Sequence, residues 1–371
     1  MLFFLAIICF FSCRSETEIF PPEEEKIDDP EFTSIKGFYL LNEGNMGSNK
    51  STLDFYDYET GTYHRNIYAV VNPTVPKELG DVGNDLKIYG SKMYAVINSS
   101  NKVEVMDAKT AKRIGQIDIP NCRYIKFHNG FAYITSFAGP IEINPNFEQL
   151  GYVAKVDTAT LRVIDECLTG FQPEELEIVD NMLYVANSGG YMFPNYENTL
   201  SVIDLTTFKE VKRIEVAVNL HRVRADKHGN LWVTTRGDYF TEPSRLYCID
   251  TQTDKVTDII EVTISNFHID DDKLYLCSSE WNYLSMSYET NYGIVDVSNK
   301  QIITHNFITD GTENQIKRPY GITVNPVTKD IFVTDAKDYV APGTLYCFDK
   351  DGKQKWNVRT GDIPAHFVFI E

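Results

Sequence analysis

The sequence has few basic residues for its length, and it contains no basic run. Among 371 residues, 35 are Lys or Arg and 53 are Asp or Glu, so the formal net charge is -18 at pH 7. Proteins that bind nucleic acids neutralise phosphates with clustered basic side chains. The charge therefore excludes nucleic acid as a partner.

The sequence also lacks the motifs of several enzyme and metal-site classes. It contains no GxSxG, HExxH or P-loop pattern, and its seven histidines show no close ligand spacing. The acidic segments DDDK (270–273) and DKDG (349–352) are better explained as hairpin turns than as calcium loops. We predict no metal, no cofactor and no catalytic residue.

Cysteine is scarce and shows no pairing pattern. Of seven cysteines, Cys9 and Cys13 lie in or beside the N-terminal apolar run, and the five others have no CxxC spacing. An odd number without such spacing implies no disulfide framework. Cys248 and Cys347 occupy the same place in the repeated segments LYCID and LYCFD, so we expect both to be small buried apolar residues.

No apolar run has the length of about 20 residues that a membrane-spanning helix needs. Residues 1–12 are apolar and typical of a signal peptide. Ser12 precedes Cys13, and a small residue followed by cysteine resembles the lipidation motif of bacterial lipoproteins. We predict a signal peptide over 1–12 and a lipid on Cys13 that anchors the protein to a membrane. The alternative is an ordinary signal peptide with an incidental Cys13.

Residues 13–36 are acidic and contain few apolar side chains. This composition favours a flexible, self-repelling tether. An acidic segment close behind a lipidated cysteine resembles the surface-export signal of Bacteroidetes lipoproteins, although a plain solvated spacer would look much the same. We expect an outer-membrane lipoprotein that is exposed at the cell surface.

One short pattern recurs through residues 37–371. Alternating apolar residues end in an aspartate, a tight polar turn follows most of these aspartates, and each unit contains four short strands. A four-stranded meander repeated at about 40–50 residues is typical of propeller blades. The sequence predicts an all-β fold, a seven-bladed β-propeller. The repeated aspartates are Asp57, Asp107, Asp157, Asp204, Asp250, Asp296 and Asp349.

The two ends of the repeat array predict how the ring closes. The first unit begins directly at its second strand, FYLLN (38–42), and the chain ends with a surplus strand, AHFVFIE (365–371). The surplus strand resembles the first strand of the other units. We predict that it completes blade one and so removes the exposed sheet edges.

The loops predict where a ligand binds. Connections between the second and third strands are long and rich in aromatic and amide residues, except in the second unit, and all emerge on one face. Long ordered loops and exposed aromatic rings cost free energy that folding alone does not require. We predict a binding surface there; the alternative is loops that pack on each other. The candidate binding residues are Asn45, Met46, Arg123, Asn187, Tyr191, Phe193, Tyr196, Arg222, Tyr239, Trp281, Tyr283, Arg318, Tyr320, Lys337 and Tyr339.

Several segments resemble a known family. NEGNMGSNKSTLDFYD (42–57), LGDVGNDLKIYG (79–90), RPYGITVNP (318–326) and TDAKDYVAPGTLYCFDKDG (334–352) are similar to Bacteroidetes surface lipoproteins with YncE/YVTN-like propellers. The resemblance covers nearly all of residues 37–371. BtuG-type members capture cobalamin at the cell surface and pass it to a TonB-dependent outer-membrane transporter. The resemblance therefore implies a corrinoid ligand and such a transporter as partner.

The predicted function is a non-catalytic solute-binding propeller. A corrinoid has an apolar ring flank and an amide rim, which suit a wide cup of Tyr, Trp and Asn residues. Two alternatives stay open. A glycan-binding surface protein would use similar aromatic platforms, and a hydrolase or lyase would place polar residues around the central channel. The candidates for such a channel site are Asp85, Glu175, His221, His268 and His366.

Overall fold

The structure is a computed structural model that describes residues 22–27, 29, 33–75, 79–282 and 286–371. The predicted signal peptide, Cys13 and the candidate residue Tyr283 lie outside these ranges. The described chain forms seven antiparallel sheets in a ring, and each sheet is one blade. The predicted all-β, seven-bladed propeller is therefore confirmed.

Blade one contains five strands. From the inner to the outer edge they are β30 (Pro364–Ile370), β2 (Gly37–Asn42), β3 (Thr52–Asp57), β4 (Thr62–Arg65) and β1 (Glu23–Lys26). A short helix, α1 (Ile67–Val71), follows β4. No helix among the described residues combines the length and hydropathy needed to cross a membrane.

Blades two to five each contain four strands, which follow the chain from the inner to the outer edge. Blade two contains β5 (Gly83–Tyr89), β6 (Lys92–Ile97), β7 (Lys102–Asp107) and β8 (Arg113–Asp118). Blade three contains β9 (Cys122–His128), β10 (Phe131–Ser136), β11 (Tyr152–Asp157) and β12 (Arg162–Leu168). Blade four contains β13 (Pro173–Val179), β14 (Met182–Asn187), β15 (Thr199–Asp204) and β16 (Lys209–Glu215). Blade five contains β17 (Leu220–Ala225), β18 (Asn230–Thr235), β19 (Leu246–Asp250) and β20 (Lys255–Ile260).

Blades six and seven complete the ring. Blade six contains β21 (Asn266–Asp270), β22 (Lys273–Asn282), β24 (Ile294–Asp296) and β25 (Gln301–Thr304), and β23 (Ser287–Asn291) pairs with the far end of β22. A 3₁₀ turn (Thr312–Gln315) precedes blade seven. Blade seven contains β26 (Pro319–Val324), β27 (Ile331–Asp335), β28 (Pro342–Phe348) and β29 (Gln354–Asp362).

The C-terminal strand β30 closes the ring as the sequence predicts. It pairs antiparallel with β2, with Gly37 opposite Ile370 and Asn42 opposite Pro364. The backbone N–H of Lys36 donates to the carbonyl of Ile370 at 2.7 Å. Blade one thus receives its inner strand from the end of the chain and its other strands from the beginning.

The two ends of the ring differ in their loops. We call the end that carries the second-to-third-strand connections and the linkers between blades the cup face, and the opposite end the turn face. The repeated aspartates lie at the turn face, where each accepts backbone N–H groups of its own turn. Asp157 Oδ1, for example, accepts from Ala159 at 3.0 Å and from Thr160 at 2.7 Å. The repeated Asp therefore closes a tight turn, as the chemistry of aspartate favours.

The core lies between neighbouring blades. Seven clusters of buried apolar residues each combine side chains of two adjacent blades. At the ring closure, the Phe38 ring of blade one lies 5.0 Å from the Phe332 ring of blade seven, centroid to centroid. Cys248 and Cys347 are buried in such clusters, which confirms their predicted role. Cys122, Cys167, Cys248 and Cys277 are buried free thiols.

Polar side chains at the start of the inner strands bridge neighbouring blades. Asp85 Oδ2 accepts the backbone N–H of Ile125 in the next blade at 3.1 Å. Glu175 Oε2 accepts the backbone N–H of Val223 in the next blade at 3.0 Å. Buried backbone N–H groups need such acceptors. Two of the candidate channel residues thus join blades to each other.

Strand β1 lies within the segment that the sequence analysis interprets as a tether. It pairs antiparallel with β4, from Glu23 opposite Arg65 to Lys26 opposite Thr62. The Arg65 guanidinium contacts the carboxylates of Glu23 at 3.1 Å and Glu25 at 2.9 Å. Because β4 runs toward the cup face, the chain enters β1 at the cup face and leaves it at the turn face.

Candidate ligand-binding cup

A cavity of about 820 Å³ opens at the cup face, the face that the sequence analysis selects for ligand binding. Its walls come from the connections of blades one, three, four, five and six, and its floor comes from the first residues of the inner strands. We call this cavity the cup. The candidate residues that line it are Met46, Arg123, Tyr191, Arg222, Tyr239, Trp281 and Tyr320.

Two further candidates support the wall from behind. The Phe193 ring lies 5.6 Å from the Phe240 ring, and the Tyr196 ring lies 6.4 Å from the Tyr239 ring, between centroids. Phe240 and Tyr239 both line the cup. Phe193 and Tyr196 thus join the long connections of blades four and five into one aromatic wall.

Three candidates lie beside the cup rather than in its lining. Asn45 Nδ2 donates to the carbonyl of Tyr339 at 2.8 Å, and the Tyr339 ring packs at 6.0 Å from the Tyr320 ring. The Lys337 backbone N–H donates to Asp335 at 2.9 Å within the same connection of blade seven. The Asn45–Tyr339 contact joins blades one and seven next to the cup, and the other two contacts lie within blade seven.

The last two described candidates are used within the fold. Asn187 is fully buried, and its side-chain amide donates to the hydroxyls of Thr199 at 3.1 Å and Ser201 at 2.9 Å. The Arg318 guanidinium stacks on the Tyr288 ring at 3.2 Å from its centroid. The structure therefore assigns Asn187 to the internal packing of blade four, and it places Arg318 on the β23 hairpin outside the cup lining.

The blade-five connection forms the most prominent part of the rim. Asp238 Oδ1 accepts three backbone N–H groups, those of residues 240 to 242, at 2.7–2.8 Å, and Oδ2 accepts the Thr241 hydroxyl at 2.7 Å. The Thr241 hydroxyl, followed by the backbone bonds, lowers the pKa of Asp238. Gly237 has φ +63°, and an added Cβ would lie 1.8 Å from the carbonyl oxygen of Glu242. Only glycine fits there. The turn presents Tyr239 and Phe240 to solvent, with 54% and 70% of their surface exposed.

The floor carries a cluster of guanidinium groups. Arg123 contacts Glu174 Oε2 through Nε at 3.2 Å and Nη2 at 2.9 Å, and Arg236 Nη1 contacts Glu174 Oε1 at 2.9 Å. Burial raises the pKa of Glu174, but the two guanidinium groups outweigh burial and bring it below its ordinary value. The buried carboxylate of Glu174 therefore forms ion pairs with both Arg123 and Arg236.

Arg222 lies beside this cluster and differs from it. It is 5% exposed, and its guanidinium lies over the Tyr124 ring at 5.1 Å from the centroid. Its Nε is buried without a hydrogen-bond partner, and no ion pair joins it to any described carboxylate. Arg222 is thus a buried cation that the described residues leave unpaired.

His221 adds a neutral group to the floor. Its Nε2 lies 3.2 Å from the Tyr124 hydroxyl. Burial, followed by the charges of Arg236 and Arg222, holds the pKa of His221 well below its ordinary value. The imidazole is therefore uncharged at neutral pH and does not contribute positive charge to the floor.

Glu43 forms a second polar group on the blade-one side. Its Oε2 accepts from the Tyr320 hydroxyl at 2.7 Å, and its Oε1 lies 3.0 Å from Nε2 of His366. Burial, and then the charge of Glu43, raise the pKa of Tyr320 well above its ordinary value. The Tyr320 hydroxyl stays protonated and fixes one side of the floor.

The family described as "Domain of unknown function (DUF5074)" matches residues 36–370. The chain belongs to the DUF5074 family. A comparison with curated protein sequences finds no match.

Solved structures support the fold of this DUF5074 chain. Hydrazine synthase of Kuenenia stuttgartiensis is 16% identical, with a TM-score of 0.58 over 72% of this chain and 77% of that chain. A quinonprotein alcohol dehydrogenase-like protein of Bacteroides thetaiotaomicron VPI-5482 is 14% identical, with a TM-score of 0.56 over 91% of this chain and 79% of that chain. At such identities the similarity shows the fold alone.

Several floor residues of the DUF5074 cup are absent from the sequence-based candidates. Tyr124, Glu43 and Arg236 contribute to the floor, yet each lies next to a predicted residue or in a predicted loop without being selected. Aligning the inner strands would have found Tyr124, because the residue before the first core position is polar in almost every blade. The aligned residues are Asp85, Tyr124, Glu175, Arg222, Asn266, Gly321 and His366.

The described part of the DUF5074 chain offers no evident metal centre. Within residues 22–27, 29, 33–75, 79–282 and 286–371, no group of three or more His, Cys, Asp or Glu side chains could hold a metal ion. The cup lining combines aromatic rings, hydroxyls, amides, carboxylates and guanidinium groups.

Proposed function

We propose that this DUF5074 protein is a lipid-anchored binding protein of the outer cell surface that captures a corrinoid in its cup. On this proposal it passes the corrinoid to a TonB-dependent outer-membrane transporter. The observation that carries the proposal is the cup itself, an open cavity of about 820 Å³ with an aromatic wall and a polar floor. Pockets for small molecules typically measure about 300–1,000 Å³.

The lining suits a broad ligand with an apolar flank and a polar rim. Tyr239, Phe240 and Trp281 offer partly exposed rings on one wall, where an apolar ring system can stack. The Ser279 hydroxyl lines the cup and has no hydrogen-bond partner among the described residues. An amide rim of a corrinoid would meet this hydroxyl and the polar floor.

A non-catalytic role is supported by the carboxylates around the floor. Glu174 is held by two guanidinium groups, and Glu43 is held by Tyr320 and His366. A general base needs a carboxylate that can reach and accept a substrate proton. Both carboxylates are already engaged by the protein, which favours binding over proton transfer.

Isothermal titration of the purified protein with cyanocobalamin tests the proposal. We expect saturable heat and red colour that co-elutes with the protein after desalting. Trp281→Ala should weaken binding by about 30-fold or more, since truncating an aromatic anchor that a ligand buries commonly costs about 2 kcal/mol. Lys227→Ala is the matched control, because Lys227 pairs with Asp272 on the turn face. No heat and no co-eluting colour at micromolar protein would overturn the corrinoid assignment.

Glycan binding is the second candidate, and one observation favours it. The exposed rings of Phe193 and Phe240 lie 5.6 Å apart at the rim and form an aromatic platform of the kind on which sugars stack. Titration with neutral oligosaccharides separates the two candidates. Heat with an oligosaccharide and none with cyanocobalamin would replace the corrinoid assignment with a glycan.

A further inference from the structure

We propose that the floor of the cup contains an oxyanion-binding site centred on Arg222, which takes a phosphoryl or carboxylate group of the ligand. This inference rests on the proposed role of the cup as a binding site, but it does not depend on the ligand being a corrinoid. It specifies which chemical group the floor recognises.

The partners of the neighbouring cations single out Arg222. Arg123 and Arg236 both bind Glu174, and Arg224 Nε contacts Glu175 Oε1 at 3.3 Å. Each of these guanidinium groups has a carboxylate. Arg222, in the same cluster, has none among the described residues.

Leaving such a group unpaired is costly. Burying an isolated charge is among the most unfavourable changes in a protein interior, and only 5% of the Arg222 surface is exposed. Burial lowers the pKa of Arg222, but the surrounding acidic groups, foremost Tyr124 and Glu175, raise it above its ordinary value. The guanidinium therefore stays charged at the floor of the cup, with nearby carboxylates that favour the charge but with no hydrogen-bond partner at Nε.

The floor of the cup carries an excess of positive charge, whereas the whole molecule is negatively charged. The guanidinium groups of Arg123, Arg222, Arg224 and Arg236 outnumber the nearby carboxylates of Glu174, Glu175 and Glu43, whereas the whole chain carries -18. The carboxylate of Glu43 is engaged by Tyr320 and His366. A local excess of guanidinium groups in an acidic protein attracts an anion.

The orientation of Arg222 suits an oxyanion. Its guanidinium lies over the Tyr124 ring at 5.1 Å, and the residue lines the cup, so its outer donors face the cavity. A planar guanidinium binds carboxylate and phosphate through two parallel hydrogen bonds. The same plane is fixed by the ring below it, which lowers the entropy lost on binding.

The test uses inorganic phosphate and acetate as probes, each titrated against the purified chain at constant ionic strength with chloride as reference. Phosphate or acetate should bind the parent protein and raise its melting temperature. Arg222→Met should reduce that affinity about tenfold or more, because it removes a charge-assisted hydrogen-bond donor. Arg222→Lys should retain part of it. The stronger of the two probes identifies the group as phosphoryl or carboxylate.

A second measurement separates a binding role from a structural one. Without any anion, Arg222→Met should melt at the same temperature as the parent or lower, because nearby Glu175 and Glu43 favour the charged side chain in the folded protein. The binding role is measured by the anion-dependent rise in melting temperature, which the parent should show and Arg222→Met should lack. If Arg222 only supported the Tyr124 ring, Arg222→Met would lower the unliganded melting temperature but leave the anion-dependent rise unchanged. Lys227→Met is the matched control and should alter neither anion binding nor the unliganded melting temperature.

The outcomes distinguish this inference from the proposed function. Equal responses of the parent and Arg222→Met to both anions would overturn the oxyanion site, even if cyanocobalamin binds both proteins equally. An anion response that depends on Arg222, without cyanocobalamin binding, would keep the site and reject the corrinoid.

Discussion

Asp85, Glu175 and Arg222 occupy the same position in three inner strands, yet they have different roles. The two carboxylates accept backbone N–H groups from the next blade, whereas the buried Nε of Arg222 has no hydrogen-bond partner among the described residues. Sequence reasoning named Arg222 from its place near a linker, together with Arg123. It could not tell that Arg123 is neutralised by Glu174, since that pair joins two blades about 50 residues apart in sequence.

Asn187 is a residue that sequence reasoning wrongly assigned to the ligand. It stands at the end of a strand beside a long connection, which favours a ligand contact, but the fold uses its amide inside blade four. Which polar group faces a cavity depends on side-chain pairing across strands. A pattern read along one strand carries no information about that pairing.

The blade-bridging role of Asp85 should appear in the pH dependence of stability, measured by comparing the parent with Asp85→Asn. Burial raises the pKa of Asp85, but the charges of Lys87 and His366 outweigh burial. The net result is a pKa of about 2, below the ordinary value of 3.8. A depressed pKa means that the charged form contributes stability above about pH 4, and that this contribution is lost as the pH falls toward 2. At pH 7 the free energy of unfolding of the parent should exceed that of Asp85→Asn by about 2 kcal/mol.

Urea denaturation of both proteins between pH 7 and about pH 2.5 checks this prediction. The difference in unfolding free energy should stay constant at neutral pH and shrink below about pH 4. A difference that is independent of pH would contradict the assignment. Asp57→Asn is a control, because Asp57 lies in an exposed turn and bridges no blades.

Most of the strands could be predicted, because period-2 alternation and tight polar turns are local properties of the chain. The predicted second strand FYLLN (38–42) falls within β2. Strand β1 was not predicted, because its sequence, EEEK, has no alternation of apolar and polar residues. Its pairing with β4 involves ion pairs to Arg65, which only the assembled blade reveals.

The inner and outer edges of blade one should respond differently to deletion. Removing residues 363–371 deletes β30, which leaves β2 without its inner partner and opens the ring. We expect an aggregated or unfolded product, because two unpaired sheet edges become exposed. Removing residues 1–26 deletes only the outermost strand β1 and should leave a soluble monomer.

Expression of both truncations, followed by size-exclusion chromatography and thermal melting, measures this contrast. A soluble monomer that lacks 363–371 and melts like the parent would show that β30 is not required for closure. Removal of Glu371 alone is the matched control, since this exposed residue follows the last strand.

At the scale of the whole molecule, the number of blades and the closing strand followed from counting repeats. The depth and charge of the cup did not, because seven inner strands from distant parts of the chain meet at its floor. The Phe38–Phe332 contact at the ring closure illustrates the distance, since it joins the first and the seventh blade. Repeats specify the ring, and contacts between repeats specify the site.

The predicted lipid on Cys13 determines where the whole molecule resides. Cys13→Ala should move the protein from the membrane fraction to the soluble fraction, because no other hydrophobic anchor is predicted in the sequence. Fractionation and immunoblotting of expressing cells measure the shift. Cys9→Ala, within the predicted signal peptide, is the matched control and should remain with the membranes. Membrane retention of Cys13→Ala at the parental level would reject this anchor.

The pairing of β1 with β4 has a consequence for how the molecule sits on a membrane. The chain reaches Glu23 at the cup face, ten residues after Cys13. Even a fully extended chain of that length spans only about 35 Å. With the proposed lipid on Cys13, this short tether would hold the cup face close to the bilayer. A ligand released from the mouth would then emerge within a few nanometres of the membrane plane, where the proposed transporter would be embedded.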